Sequence, residues 1–526
     1  MVLDSALAVI QNYIRAEVTD RFFSVLADET TDRAGREQLA IIFRYATQEE
    51  GRWCVREDPV RIVDLLREIK KGEEETEGEV RMTGENIGEA ILKKVNELNL
   101  SGTSRMVGCG FDGAAAMASQ SVGAAAVLKR DNPLCDYYHC AMHALNLCVA
   151  ACTDQADVRA CLTTVKALTT FFNTSAKRAE ALQRAVERFC PEQTRSKLVS
   201  LCTTRFLERH DAILCMCQLL PAVTKCLDEM KNWYSTETRG KAIQLLSCIS
   251  TPSFLVALFS LEAITAVVLP VARSLQAKSM DVSTAMEGLK ACTRILQSWN
   301  EDPDSVFNEV ISKTREVAEA LDVELRPPRC AGRSQYRANA GECGDAVEYY
   351  RVNCFLPLLH SVLRQLQARF GERQQASFKL YGLLPAHMKS WEEVESATKR
   401  YTAFLDQPHQ LKVEHKVWMN MWKGKAETAR PKSAVAALDA CPAELLPNIN
   451  RLLQILAALP VTTAEPERLF SRVTLTETCI RATMSEERLE ALCLLQVYRQ
   501  CPALTVDSVL QQFATSPTQR RLGPIF

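Results

Sequence analysis

The sequence predicts an α/β domain joined to a long all-helical region, and three observations indicate this fold class. Strand-like apolar runs and helices alternate over roughly the first 150 residues, which is typical of an α/β layer. Helical periodicity then dominates from about Asp157 to Ala440, and a stretch punctuated by Pro431, Pro442 and Pro447 precedes a last helical block. A chain of 526 residues is also too long for one hydrophobic core, so we expect two or three domains.

Four short apolar runs are the strand candidates of the N-terminal part. Phe22–Ala27 and Leu39–Tyr45 flank the turn-forming residues Arg33–Gly35, which predicts two adjacent antiparallel strands. Met106–Phe111 and Tyr137–Cys140 are the third and fourth candidates. The segment that precedes the first run has the pattern of an amphipathic helix.

One helix in this part has both a predicted start and a predicted buried face. Thr83 is placed to cap it, and its apolar side chains recur at helical spacing, at Ile87, Ile91, Val95 and Leu98. The polar, acidic stretch around Lys70–Glu79 that precedes this helix is predicted to be a solvated loop.

The charge balance limits how the chain can bind nucleic acid. It has 63 Lys and Arg against 64 Asp and Glu, for a net charge of -1. This balance excludes a uniformly basic protein that coats DNA. If nucleic acid binds, it must use a local patch or groove.

The 21 cysteines and one apolar stretch bear on the compartment. No signal peptide is recognisable, so the cysteines are expected to be reduced thiols in the cytosol or nucleus. Phe254–Ala272 is apolar enough to resemble a membrane span, but Glu262 lies at its centre. Because an acidic residue in mid-bilayer costs about 2.5–3.5 kcal/mol, we expect a buried helix of a soluble domain.

Acidic residues at the ends of predicted elements are the candidates for chemistry. Asp28 follows the first strand candidate, Asp112 follows the third, and Glu467 lies near the start of a helix. Three such carboxylates can hold two divalent metals about 3.5–4 Å apart for in-line phosphoryl transfer. The alternative is that the aspartates cap turns and helices.

The sequence HCAMH offers a second set of possible ligands, His139, Cys140 and His143. A structural zinc site needs four ligands, and the chain contains no Cys-x-x-Cys pair. We therefore favour a packing or phosphate-contact role for these residues over a closed zinc site.

Five motifs follow one another along the chain: FFSVLADETTDRAGREQLAII, GCGFDGAAAMAS, YYHCAMHALNLCVAAC, TTRFLERHDAI, and PNINRLLQILAALPVTTAEPERLFSRV with IRATMSEERLEAL. In sequence and in order they resemble those of the hAT-superfamily transposases, and the resemblance covers almost the whole chain. Within this superfamily the chain most resembles the animal branch of zinc-finger MYM-type and hAT dimerisation-domain proteins.

The resemblance implies a specific domain organisation. In this family an RNase H-like catalytic domain is interrupted by a long all-helical insertion, and the chain ends in a helical dimerisation region. Here it implies an N-terminal part of the RNase H-like domain at 1–156 and the insertion at 157–443. The block at 444–526 would complete the fold and carry the hAT dimerisation region.

The resemblance also assigns catalytic residues and a reaction. Asp28, Asp112 and Glu467 would be the catalytic carboxylates and the ligands of a two-metal site that holds Mg²⁺ or Mn²⁺. The reaction would be DNA strand cleavage and transfer by an activated water or 3′-hydroxyl, without a covalent enzyme intermediate. Glu465 and Asp32 match no acidic requirement of the family and are expected to be a bystander and a turn or cap residue.

DNA contacts are implied for Arg205, Phe206, His143 and Cys140. Relatives typically carry Trp after the arginine, where it stacks on a flipped base, and this chain has Phe206 instead. Stacking worth about 1–3 kcal/mol per base would remain available in reduced form. The alternative is that Phe206 is a plain core residue.

No Cys/His finger spacing precedes Asp28, so we expect either a fragment or a domesticated descendant that lost recognition of transposon ends. The implied location is nuclear, with the cytoplasm as the alternative. An active transposase core and a catalytically silent nuclear regulator both fit these observations. An unrelated helical scaffold would instead require the three carboxylates to lie far apart.

Two apolar helical faces in the last block predict either ordinary core or a dimer interface. By resemblance this region is the dimerisation segment, so a homodimer through the C-terminal region is expected. The residues are Leu452, Leu453, Ile455 and Leu456 on one helix, and Leu489, Leu492, Leu495 and Val497 on the other.

Overall fold

A small mixed sheet lies in the N-terminal part of the chain, and helices make up most of the remainder, as the sequence predicts. This computed structural model describes residues 2–70, 81–98, 100, 105–119, 121–201, 206–277, 282–328, 345–370, 376–477 and 484–515. The predicted loop at Lys70–Glu79 falls, apart from Lys70, outside these residues.

The strands are β1 Phe23–Thr31, β2 Glu37–Glu49, β3 Arg52–Asp64, β4 Met106–Phe111 and β5 Asp136–His139. The helices up to the start of the mainly helical part are α1 Val2–Val18, α2 Leu65–Lys70, α3 Gly84–Glu97, α4 Ala115–Ala118, α5 Ala124–Asp131 and α6 Ala141–Ala150. Those that follow are α7 Ala156–Asn173, α8 Ala176–Phe189, α9 Phe206–Met230, α10 Thr236–Ile249, α11 Pro252–Leu275, α12 Val282–Glu301, α13 Pro303–Ala320, α14 Ala346–Tyr350 and α15 Leu356–Phe370. The last are α16 Trp391–Thr398, α17 Leu411–Trp422, α18 Ala434–Ala440, α19 Pro447–Ala458, α20 Ala464–Thr476, α21 Glu486–Val497 and α22 Val506–Thr515.

The chain divides into two units, each built from separate stretches of sequence. The sheet-containing unit comprises Met1–Met142, Leu275–Met286 and Gln374–Phe526. The helical unit comprises His143–Ser274 and Glu287–Arg373.

The sheet has the strand order β3-β2-β1-β4-β5. β1, β2 and β3 form an antiparallel meander, and β4 and β5 continue the sheet in parallel with β1. The predicted hairpin of β1 and β2 is confirmed, and its turn contains Gly35 with a φ of 78°. The third and fourth strand candidates are also confirmed, the latter beginning and ending one residue earlier than predicted.

Helices pack their predicted faces against this sheet. Asn86 N–H donates to the Thr83 hydroxyl at the start of α3, and the helix buries Ile87, Ile91 and Val95. The N-terminal amphipathic helix is confirmed as α1, which buries Ile10, Ile14 and Val18 in the same core.

The end of α19 is fixed to β2 by one buried arginine. The Arg44 side chain is 1% exposed, and its Nε donates to the carbonyl of Leu459 at 2.9 Å. Its Nη1 pairs with Glu57 at 2.5 Å, and its Nη2 donates to the carbonyl of Ala457 at 3.3 Å. Arg44 therefore satisfies carbonyl groups that the end of a helix leaves without helical partners.

A second arginine joins the β1–β2 hairpin to the distant end of α20. Arg36 Nη2 donates to Glu477 at 2.8 Å, and its Nε donates to Asp32 at 2.9 Å. Backbone N–H of Arg33 also donates to Glu477, at 3.2 Å. The hairpin that follows Asp28 and the helix that carries Glu467 are thus held together by the partly buried Arg36–Glu477 pair.

Helix α21 covers part of the edge strand β3. Glu490 accepts from the backbone N–H of Ile62 at 3.2 Å, and Glu486 accepts from that of Asp64 at 2.9 Å. These bonds satisfy strand donors that would otherwise face outward.

Most of the two apolar C-terminal faces is used inside the chain. On α19, Leu452, Leu453, Ile455 and Leu456 are all buried. On α21, Leu489 is buried, whereas Leu492, Leu495 and Val497 are partly exposed. The first face is therefore core, and only the second retains exposed apolar surface.

In the helical unit, α11 contains the membrane-like stretch of the sequence. Among the described helices it is the one that is long and apolar enough to span a bilayer, and 67% of its most apolar window is buried within the chain. Glu262 pairs with Lys313 of α13 at 3.0 Å. This burial fits the predicted core helix. The cysteines in the described part of the chain are free thiols.

Candidate active site

The register of two neighbouring parallel strands places the two predicted catalytic aspartates next to each other. Leu26 of β1 pairs with Gly110 of β4, and continuing this register by two residues places Asp28 opposite Asp112. Because side chains alternate along a strand, each aspartate shares a face with the paired residue before it. Adjacent strands lie about 4.8 Å apart, so the two carboxyl groups are neighbours.

The segment before α20 is held against the same face of β4. Pro460 packs so closely on Gly108 and Gly110 that a Cβ at either glycine would lie 2.8 Å from its ring. The Val461 carbonyl accepts from the N–H of Ala141 at 2.9 Å. These contacts bring the start of α20 to the carboxyl ends of β1 and β4.

Glu467 lies in the first turn of α20 and is half-buried. Its N–H donates to the carbonyl of Thr463, whose own N–H donates to the sulfur of Cys140 at 3.3 Å. Cys140, just past β5, thus helps to position the helix that carries the third carboxylate.

The charges of Asp112 and Glu467 act on Asp28. Burial, and after it the negative charges of Asp112 and Glu467, raise the pKa of Asp28 to about 7. A hydrogen bond from the backbone N–H of Glu29 partly opposes this rise. Close approach of like charges disfavours ionisation, so the structure brings all three predicted residues into one electrostatic cluster.

Glu29 is a fourth carboxylate of this cluster. It is not among the site residues predicted from the sequence. Burial, followed by the charges of Asp112 and Glu37, raises the pKa of Glu29. Within the described part of the chain its Oε2 is buried without a hydrogen-bond partner. The residue stands next to Asp28 in the sequence, but no pattern there distinguishes it from an ordinary strand-end glutamate.

The main chain at Asp112 is held by an aromatic residue of β5. The Tyr137 hydroxyl donates to the Asp112 carbonyl at 2.8 Å. Burial and then the charge of Asp112 raise the pKa of Tyr137, so the hydroxyl keeps the proton that it donates. The Asp112 carboxylate itself accepts from the N–H of Ala114 at 3.1 Å, which is the turn geometry expected of an aspartate.

Gly113 faces the ring of His139 with no room for a side chain. A Cβ at Gly113 would lie 2.6 Å from Cε1 and 2.9 Å from Nε2 of that ring. We expect Gly113→Ala to lower the free energy of unfolding by about 1–3 kcal/mol, because the ring or the Asp112 turn must move. Gly240→Ala is the matched control, since nothing lies within 4 Å of a Cβ there and a mid-helix alanine is favourable by up to about 1 kcal/mol. Hydrogen exchange of each unit measures both effects, and equal effects would contradict the prediction.

The HCAMH residues have different environments. Cys140 is buried, and its sulfur accepts the hydrogen bond from the N–H of Thr463. His139 and His143 are partly exposed. Arg205 lies outside the described residues, as does the side chain of Phe206, which begins α9.

Two other acidic residues have local partners. Glu465 pairs with Arg468 three residues later on α20. Asp32 accepts from the N–H groups of Ala34 and Arg36 at 2.9 Å each and is the turn residue that the sequence predicts.

The carboxylates fit a divalent cation in chemistry. Mg²⁺ and Mn²⁺ prefer hard oxygen ligands such as these, and a bound cation would offset both the burial and the repulsion that raise the pKa of Asp28. Among the described residues, however, no three His, Cys, Asp or Glu side chains already converge as a metal cluster.

Comparison with known proteins finds a family model for the N-terminal part of the chain. Residues 2–123 match a family model described as DUF4371: ZMYM1/FAM200, RNase-like domain. The match includes Asp28 and Asp112 and all of β1 to β4, and it ends before Glu467.

Two longer relatives extend the similarity to nearly the whole chain. The human and mouse proteins named 52 kDa repressor of the inhibitor of the protein kinase are each 25% identical to it, over 512 and 513 residues. The alignments cover 94% of this chain and 64% of each relative. The chain thus spans somewhat less than two thirds of the length of these relatives.

Proposed function

We propose that this chain is a hAT-type, transposase-derived protein that cleaves and transfers DNA strands at Asp28, Asp112 and Glu467. The observation that carries the proposal is the placement of Asp28 and Asp112 at matching positions of parallel neighbouring strands, with the charge of Glu467 acting on Asp28. A sheet edge of this kind can hold a phosphodiester between two carboxylate-bound cations.

The three residues would act as the ligands of Mg²⁺ or Mn²⁺. When bound, such cations polarise the phosphate and activate a water or 3′-hydroxyl for in-line attack. Asp28 must give up its proton for this role, and Tyr137 keeps the Asp112 turn in place. Glu467 closes the site from α20.

We further propose an RNase H-like domain formed by 1–156 and 444–526, with 157–443 as its helical insertion. Two observations support this organisation. The sheet-containing unit gathers residues from both ends of the chain, and the family model that matches residues 2–123 is described as RNase-like.

A second candidate is a domesticated, catalytically silent protein that forms homodimers through its C-terminal region and regulates genes in the nucleus. It is favoured by the lack of a preformed three-ligand cluster among the described residues and by the relatives, which are named as repressors. In this reading DNA remains a partner, and the partly exposed apolar side chains of α21 contribute to the dimer.

The deciding experiment is Mn²⁺-dependent nicking and strand transfer on DNA with free 3′-hydroxyl ends. We expect Asp112→Asn to reduce the rate at least about a hundredfold, because a charge that stabilises the transition state is removed. Asp131→Asn is the matched control, since Asp131 is exposed at the end of α5. Light scattering on the same samples measures the mass. An inactive, well-folded wild-type dimer would favour the silent regulator.

A further inference from the structure

A strongly basic surface lies on α17 and the turn that follows it. Residues 411–432, here called the basic segment, contain six Lys or Arg and only two acidic residues. This ratio departs from the chain as a whole, which has a net charge of -1. The six cations are Lys412, Lys416, Lys423, Lys425, Arg430 and Lys432.

One of the two acidic residues does not neutralise this surface. Glu414 is buried and accepts from the backbone N–H groups of Asn448 at 2.9 Å and Ile449 at 3.1 Å. It therefore caps the start of α19, where anions are favoured. Only Glu427 is left as an exposed acid, whereas all five lysines are exposed.

The lysines are not balanced by neighbouring helices either. On the adjacent α16, Glu393 pairs with Lys389 and Glu395 with Lys399. Lys412 lies near enough to Glu392 to contribute to its lowered pKa, after hydrogen bonds from its own backbone and from Ser390. Within the described part of the chain, no ion pair is formed by Lys416, Lys423 or Lys425.

Helix stability accounts for Lys423 and Lys425, which follow the C-terminal end of α17, where the helix dipole favours cations, but not for Lys412 and Lys416. Lys412 and Lys416 lie in the first half of α17, and a cation in the first turn opposes the helix dipole. Gly424, with a φ of 84°, ends the helix between Lys423 and Lys425. Arg430 Nε donates to the Lys425 carbonyl at 3.2 Å, so further cations gather at this end.

We infer that the basic segment is a docking surface for the phosphate backbone of duplex DNA. The inference rests on the proposed function and adds where the DNA is held outside the carboxylate site. The charges are extended along a helix and a turn, which suits a row of phosphates. Lysines that contact phosphates carry no sequence information, so this binding is independent of sequence.

Fluorescence anisotropy with a labelled duplex in EDTA tests the inference without any cleavage. The triple variant Lys416→Gln, Lys423→Gln, Lys425→Gln should bind at least about tenfold more weakly at 0.1 M salt, and its log–log salt slope should fall by about 2–3. The matched control is Lys166→Gln, Lys177→Gln, Lys225→Gln, which removes three exposed helical lysines of the helical unit and gives the same net charge. Circular dichroism confirms that both variants are folded.

Full affinity in the control with loss in the first variant supports the inference. Equal losses in both variants, no effect in either, or wild type that binds anionic vesicles or an acidic peptide but no DNA would each overturn it. Because EDTA prevents metal-dependent cleavage, the DNA-binding result can be interpreted even if the protein proves to have no catalytic activity.

Discussion

Replacing Asp28 by asparagine is expected to stabilise the sheet-containing unit by about 2–4 kcal/mol at pH 8 while abolishing any nicking activity. The pKa of Asp28 is about 7 in the folded chain, against about 3.9 in an unfolded one. Each pKa unit corresponds to about 1.4 kcal/mol, and partial exposure reduces the total. The stabilisation arises because asparagine has no charge to bury beside Asp112 and Glu467.

The direction of the pKa shift determines how the stability difference between Asp28→Asn and wild type changes with pH. A folded-state pKa above the unfolded value favours the folded state at low pH, and that advantage is lost as pH rises from about 4 to about 7. The difference between Asp28→Asn and wild type should therefore grow across this window and level off above it. Urea unfolding followed by hydrogen exchange of β1 and β4 peptides measures it for this unit alone.

Divalent cations supply a second readout for the same variant. Mn²⁺ should stabilise wild type, by about 2.7 kcal/mol at a hundred times its dissociation constant, and should stabilise Asp28→Asn much less. Asp131→Asn, at an exposed position, should follow wild type within about 0.5 kcal/mol. The prediction would be contradicted if Asp28→Asn were less stable than wild type, or if the stability difference between them were the same at pH 4 and pH 8. Either result would show that the buried charge of Asp28 does not destabilise the folded protein.

The second large effect is expected at Arg44. Replacing it with methionine should cost about 3–5 kcal/mol, because Glu57 is left as a buried charge without its partner and the carbonyl of Leu459 loses a donor. The double variant Arg44→Met, Glu57→Met should recover a large part of that loss, since the unpaired charge is removed. Urea midpoints of the three proteins test the comparison.

Arg130→Met is the control for this pair. Arg130 is 58% exposed and lies 3.9 Å from Glu85, so its loss should change the free energy of unfolding by less than about 1 kcal/mol. A double variant as unstable as Arg44→Met would mean that the bonds to the end of α19, and not the ion pair, dominate.

Local patterns in the sequence predicted β1, β2, β4 and the short edge strand β5, but not the other edge strand, β3. The buried apolar runs of β1, β2 and β4 can be recognised in the sequence, because strands covered on both faces are continuously hydrophobic. β3 reads RWCVREDPVRIVD and was not predicted. It is an edge strand, where charged residues and a proline are tolerated.

The candidate site was predictable only in part. The apolar runs before Asp28 and Asp112 predicted that both residues end a strand, whereas β1 continues to Thr31 and Asp28 lies within it. The register that makes the two residues neighbours is a property of the folded sheet. Glu467 reaches them through Pro460, which packs against Gly108 and Gly110. Such a contact depends on two distant segments meeting, and the resemblance to a family, not periodicity, was what pointed to Glu467.

The bond between Arg36 and Glu477 joins residues that are 441 positions apart. During synthesis the hairpin therefore leaves the ribosome long before the helix that completes its core exists. Closing so long a loop is entropically costly, and chains of this size commonly fold through intermediates that expose apolar surface. Until that helix is synthesised, one face of the nascent sheet stays uncovered, which makes this protein a candidate client of chaperones. A late stop codon would disrupt the fold even if it left every strand intact.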